Sequence, residues 1–165
     1  MDAAKSIIGV FGSGSAVEAD REWQAAFSVG RLLAERGCII LTGGLGGVMT
    51  AASRGAREAG GTTVGILPGS RETGPANPYV DIPLYTGMGQ ARNVINVKSC
   101  RAAIAVGGEY GTLSEIALAL KAGIPVILLD SWSLTAPGGG TPAQLSVART
   151  PREAVDLALA KMPKR

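Results

Sequence analysis

Short apolar runs alternate along the chain with longer stretches in which apolar residues recur every three or four positions. Ser6-Ile-Ile-Gly-Val-Phe-Gly12, Cys38-Ile-Ile-Leu-Thr42, Thr62-Thr-Val-Gly-Ile-Leu67, Ala102-Ala-Ile-Ala-Val106 and Pro125-Val-Ile-Leu-Leu129 read as buried strands, and 81–86 as a weaker one. Helical spacing predicts a helix over 20–36, where Trp23, Ala26, Phe27, Leu33 and Ala34 share a stripe and Gly37 supplies a stop. Further helices are predicted over 48–59, 90–101, 112–121 and 151–161. Residues 69–80 and 130–141 show no period and are rich in glycine and proline, so they read as surface loops, the first of them a candidate lid. Strands alternating with helices of this length predict an α/β fold, a parallel sheet with helices on both faces. In such sheets ligands bind outside the carboxyl ends of the strands.

Composition narrows this picture in a few places. A chain of 165 residues fits a single domain over 1–165 that buries about 70% of its unfolded surface. The 24 glycines cluster at strand ends while 46% of the residues are hydrophobic, which marks a turn-rich globular chain and not a low-complexity one. No apolar run is long enough to span a membrane, and the first residues lack a signal-peptide pattern. With Cys38 and Cys100 isolated in apolar contexts, a reduced, cytoplasmic protein is expected. The net charge of +3 comes from the basic tail at 160–165, since Lys161, Lys164 and Arg165 are the whole excess. The neutral body argues against nucleic acid as a partner.

No histidine is present, which removes serine–histidine and cysteine–histidine pairs and histidine metal sites. The carboxylates are scattered, so no metal site is expected. Chemistry falls to Arg, Glu, Asp, Tyr, backbone amides or the ligand itself.

Three glycine-dense turns lie at the ends of predicted strands. Gly12-Ser13-Gly-Ser-Ala-Val17 narrowly misses the dinucleotide fingerprint, because Val17 stands where a third glycine belongs and Thr42, not an acid, ends the second strand. Gly43, Gly44, Gly46 and Gly47 occupy four of five positions, a density that suggests a close approach to the backbone, and Met49 follows them. Gly107, Gly108, Tyr110, Gly111 and Thr112 form the third turn, and Tyr110 there offers a face to a planar ring or fills a gap beside the sheet. Such turns present N–H groups to an anion at a helix N-terminus. No Gly-Lys-Ser/Thr follows any of them, which excludes a P-loop.

Two charged residues stand out. Arg92, followed by Asn93, lies near a predicted helix start, where the helix dipole disfavours a cation. A bound anion accounts for it, and so does a solvated arginine. Thr112-Leu-Ser-Glu115 has the form of a capping box, repeated at Thr150-Pro-Arg-Glu153. In that position Glu115 would be held ionised by the dipole, suited to face a developing cation and poor as a general acid.

At these residues the chain resembles the Lonely Guy proteins, phosphoribohydrolases often mislabelled lysine decarboxylases. Gly43-Gly-Leu-Gly-Gly-Val-Met49 is similar to their Gly-Gly-x-x-Gly-Leu-Met element, and 107–115 to their Pro-Gly-Gly-x-Gly-Thr-x-x-Glu motif. Gly60-Gly-Thr-Thr-Val-Gly-Ile-Leu-Pro-Gly69, Thr86-Gly-Met-Gly-Gln-Ala-Arg-Asn93 and Ala117-Leu-Ala-Leu-Lys-Ala-Gly123 resemble the smaller molybdenum cofactor carrier relatives over most of 7–130. DprA-like proteins share the fold more distantly. The resemblance implies a Rossmann-like homodimer or homotetramer whose pocket holds a phosphorylated purine-like or pterin-like molecule, with no further cofactor required. The molybdenum cofactor or a nucleoside monophosphate is the implied ligand. It also implies that Arg92 and Glu115 match the hydrolases' catalytic pair.

The motif's proline is missing at Val106-Gly107, and Glu109 stands where a glycine is expected. Either Glu109 points away or the turn no longer binds phosphate as the hydrolases do. The preferred expectation is a binding protein of the cofactor-carrier kind, with the Gly43–Gly47 and Gly107–Thr112 turns holding phosphate. The alternative is a hydrolase of the base–ribose bond in nucleoside 5′-monophosphates.

Overall fold

The computed structural model describes residues 5–163; of the basic tail, Lys164 and Arg165 lie outside the described residues. Seven strands form one parallel sheet in the order β4-β3-β2-β1-β5-β6-β7. These are β1 (Ile7–Gly12), β2 (Ile39–Thr42), β3 (Thr62–Leu67), β4 (Ile82–Tyr85), β5 (Ala102–Val106), β6 (Val126–Leu129) and β7 (Leu145–Ala148). The helices are α1 (Arg21–Glu35), α2 (Val48–Glu58), α3 (Asn93–Lys98), α4 (Tyr110–Lys121) and α5 (Pro151–Lys161). This is the α/β parallel sheet expected from the apolar pattern, Rossmann-like as the resemblance implied.

The central strands read as continuous apolar runs because both faces are covered. Along β5, Ala102, Ile104 and Val106 pack under α1, α2 and α5, while Ala103 and Ala105 pack under α3 and α4. Strand order reverses between β1 and β5, whose last residues Gly12 and Val106 are registered as partners. That reversal opens a crevice at the carboxyl edge of the sheet.

Coverage is uneven. Three helices lie on one face and two on the other, and α3 is only six residues long. Ile82 and Leu84 of β4 are therefore 47% exposed, and Val94 and Ile95 of α3 stay at the surface too. On the three-helix side, α1 and α2 approach to backbone contact. A Cβ added to Gly30 would meet the Ala52 carbonyl oxygen at 2.0 Å, and one added to Gly55 would meet that of Phe27 at 2.0 Å.

Three expectations need correction. The predicted helix over 90–101 is a 3₁₀ turn, Gly89–Arg92, followed by the short α3. Gly89 sits at φ +54° and the chain must reach β5 by Ala102, which leaves little room for a longer helix. Leu145–Ala148 is an edge strand that the sequence did not announce, since Val147 is 66% exposed and no apolar run marks it. Helix α4 begins at Tyr110, not Thr112, because Gly107 at φ +55° and Gly108 at φ +108° turn the chain early.

Candidate functional site

A cleft of about 240 Å³ opens at the β1–β5 reversal. It is lined by Phe11, Gly12, Ser13 and Gly14 from β1 and the turn after it, and by Gly43 and Met49 around the start of α2. Gln90, Arg92 and Asn93, with Glu109, Gly111, Thr112 and Glu115 from the start of α4, complete the lining.

Arg92 ends the 3₁₀ turn and points inward, only 8% exposed. Its Nη1 lies 3.7 Å from Glu115 Oε1, and its buried Nε has no hydrogen-bond partner. Burial lowers its affinity for the proton, opposed by Glu115. Gly43 is what makes room for it. A Cβ there would meet Arg92 Nη1 at 2.6 Å, Nη2 at 2.7 Å and Met49 Sδ at 2.7 Å. The arginine is thus neither solvated nor bound tightly to its carboxylate partner.

Glu115 is the sixth residue of α4 and does not cap it. Its Oε1 accepts a hydrogen bond from Asn96 Nδ2 at 2.9 Å in the buried interior. Helix α4 instead has Glu109 as its N-cap residue, with no side-chain capping bond. The repeat of the pattern at α5 does cap: Thr150 Oγ1 accepts from the Glu153 N–H at 3.2 Å, and Glu153 Oε2 accepts from the Arg149 N–H at 2.8 Å. One turn deeper and out of water, Glu115 has a carboxyl pushed up to about 7, by burial first and against the pull of Asn96 and Arg92. The expected dipole-stabilised, permanently ionised carboxylate is replaced by one that titrates near neutrality.

Glu109 faces the cleft. Its Oε1 accepts from Ser13 Oγ at 2.8 Å and Ser15 Oγ at 2.9 Å, tying the β1 turn to the β5 turn. These bonds hold its carboxyl below the usual range. The backbone at Glu109 is extended, φ −107° and ψ −164°, so no glycine is required where the resembled motif has one.

Of the residues singled out from sequence, Gly12, Ser13, Gly43, Met49, Arg92, Asn93, Gly111, Thr112 and Glu115 come together here. Others do not. Gly44, Gly46 and Gly47 lie off the cleft, and protein atoms are what approach them. Gly47, at φ +61°, would place a Cβ 2.1 Å from the Ser13 carbonyl oxygen. Gly107 and Gly108 face a separate hollow beside Asp130, Ser131 and Trp132. Tyr110 is 81% exposed and packs on Trp132, ring centroids 5.7 Å apart. Phe11, Gly14 and Gln90 were missed; their only signal was adjacency to glycine turns.

Cys38 and Cys100 are free and buried. Among the described residues no group of three His, Cys, Asp or Glu side chains could hold a metal ion, and no helix is long and apolar enough to cross a membrane.

An uncharacterized protein of Archaeoglobus fulgidus is 44% identical over 158 residues, covering 95% of this chain and 97% of its own. The molybdenum cofactor binding protein of Rippkaea orientalis is 41% identical with a TM-score of 0.82, covering 94% of this chain and 96% of that one. The molybdenum cofactor carrier protein of Chlamydomonas reinhardtii is 40% identical, also at 0.82, covering 95% and 99%. The SLOG cluster4 family model matches residues 5–155, nearly the whole described chain, and the protein therefore belongs to the SLOG cluster4 family.

Proposed function

We propose that the cleft binds a phosphorylated heterocycle of the pterin or purine type, in the manner of a molybdenum cofactor carrier. The observation that carries this reading is Arg92. Its guanidinium is buried against Gly43, lies 3.7 Å from Glu115 and keeps an Nε with no hydrogen-bond partner among the described residues. Burying a cation with so little compensation is costly, and an anion in the cleft would offset the cost. The N–H groups of Gly111 and Thr112, at the positive end of α4, would share that anion. Likeness to the Rippkaea orientalis and Chlamydomonas reinhardtii proteins supports the cofactor as cargo.

Titration with 6-hydroxymethylpterin and its phosphate tests this directly, with pterin fluorescence as the readout. The phosphate should bind at least tenfold more tightly, and Arg92→Gln should erase that difference. Equal affinities in the wild type, or no binding of either, would remove the assignment.

A second reading rests on Glu115. A buried carboxyl that titrates near 7 beside a cation suits general acid–base work at neutral pH. In a nucleoside 5′-monophosphate, Arg92 would hold the phosphate while Glu115 takes a proton from the water attacking the anomeric carbon; the C–N bond breaks, the departing base nitrogen takes a proton from solvent, and ribose 5-phosphate remains. Release of free base from AMP or isopentenyl-AMP would establish this hydrolase, and its absence in a folded protein would leave the carrier.

The under-covered sheet face supports self-association. Ile82, Leu84, Val94 and Ile95 form the apolar surface that a second copy would bury, giving a homodimer or homotetramer around a single-domain protomer. Ile95→Arg should shift the sedimenting species to monomer; an unchanged profile would place the interface elsewhere.

A further inference from the structure

The cleft is polarised. Arg92 is a buried cation in its lining, and the exposed Glu109 carboxylate joins that lining from the N-cap of α4, bonded to the β1 turn. As a clip between the two turns, Glu109 needs only one oxygen, because both serine hydroxyls donate to Oε1. Among the described residues no hydrogen bond uses Oε2. The carboxylate is also fixed in direction by the two serines, which a loose surface glutamate is not. Their hydrogen bonds favour its ionised form, so it faces the cleft as a pure acceptor.

We propose that Glu109 reads the heterocycle by accepting the paired N–H donors of a 2-amino-4-oxo-pyrimidine edge, which selects pterin and guanine rings over adenine, hypoxanthine and xanthine. The inference rests on the phosphorylated-heterocycle reading and adds the ring class to it. A 2-amino-4-oxo edge carries a ring N–H and an exocyclic NH₂ side by side, and both donors can converge on Oε2, whose lone pairs no described residue uses. Adenine sets an acceptor nitrogen beside its amine. Hypoxanthine lacks the amine, and xanthine turns a carbonyl toward the carboxylate. Each leaves Oε2 facing nothing or facing another acceptor, a mismatch that disfavours the ring. The same carboxylate repels phosphate from its own side of the cleft, which directs the phosphate to Arg92 and the ring toward Glu109. The resembled motif's glycine would read nothing at this position.

The test is calorimetric titration of the whole protein with two matched pairs. One is 6-hydroxymethylpterin phosphate against 6-hydroxymethyl-lumazine phosphate, in which the 2-amino group is a carbonyl; the other is GMP against xanthosine 5′-monophosphate. The wild type should prefer the amino member of whichever scaffold it binds by at least tenfold. Glu109→Gln keeps an acceptor for Ser13 and Ser15 and should cut that preference to below threefold, with the phosphate dependence of binding retained. No preference in the wild type, or a preference that survives in Glu109→Gln, overturns the role of Glu109 and leaves the phosphorylated-heterocycle reading standing. Binding of neither pair overturns both.

Discussion

Glu115→Gln should remove a pH dependence of stability that the wild type shows between about pH 4.5 and 7. The Glu115 carboxyl titrates near 7 in the folded protein against an ordinary value of 4.5. Across that window the folded state keeps a proton that the unfolded state has released, so this group's contribution to stability is fully present below 4.5 and is lost as pH rises. The full drop is about 3 kcal/mol once pH passes 7. Glutamine has no proton to lose, so its profile should be level there. The variant also deprives Arg92 of its 3.7 Å partner, which lowers stability at alkaline pH. The slope, and not the height, is therefore the readout. Urea unfolding at pH 5, 6, 7 and 8 gives it, and parallel slopes for the two proteins would rule the assignment out. The same proton matters for the ligand. An anion drawn to Arg92 competes with the Glu115 carboxylate, so anion affinity should rise as pH falls through 7 in the wild type only.

The largest effect on stability is expected away from the cleft, where α1 meets α2. Gly30→Ala would push a methyl group to 2.0 Å from the Ala52 carbonyl oxygen. Over-packing ordinarily costs about 1–3 kcal/mol, and here the obstacle is helix backbone, which cannot swing aside as a side chain does. A loss of about 3 kcal/mol follows, or roughly 6–12 °C in the melting temperature of a chain this size. Gly55→Ala should behave alike, since it meets the Phe27 carbonyl oxygen at 2.0 Å across the same contact. Gly111→Ala provides the contrast, because nothing lies within 4 Å of its added Cβ and alanine is the better helix former. Thermal melts of the three variants would decide the matter; a Gly30→Ala protein that melts with the wild type would show that α1 and α2 separate readily.

These positions mark how far sequence reasoning reached. Strands β1, β3 and β5 were legible because a strand buried on both faces must be apolar throughout. Strand β7 was not, since Val147 faces solvent and four residues are too few for a period. Arg92 was noticed for its charge beside a helix start. What buries it is Gly43, about fifty residues earlier, and no local pattern records that contact. Glu115 was misread for a related reason. The Thr-x-x-Glu spacing is the same in α4 and α5, but only the preceding backbone decides where a helix begins. Glycines at positive φ started α4 two residues early, and a cap became an interior group. The four glycines of the Gly43–Gly47 turn suggest from sequence that a ligand approaches the backbone. The approaching atoms include the chain's own arginine and the Ser13 carbonyl.

The cleft takes its walls from 11–14, 43–49, 90–93 and 109–115, segments that meet only on the finished sheet. No fragment of the chain carries a weaker copy of it, so the unfolded protein has nothing to offer a ligand. Occupancy and folding are then one equilibrium by mass action. Cargo held at a hundred times its dissociation constant adds about 2.7 kcal/mol to the stability of the loaded protein. With the ligand proposed above bound, the protein should resist heat and proteolysis better than the empty form.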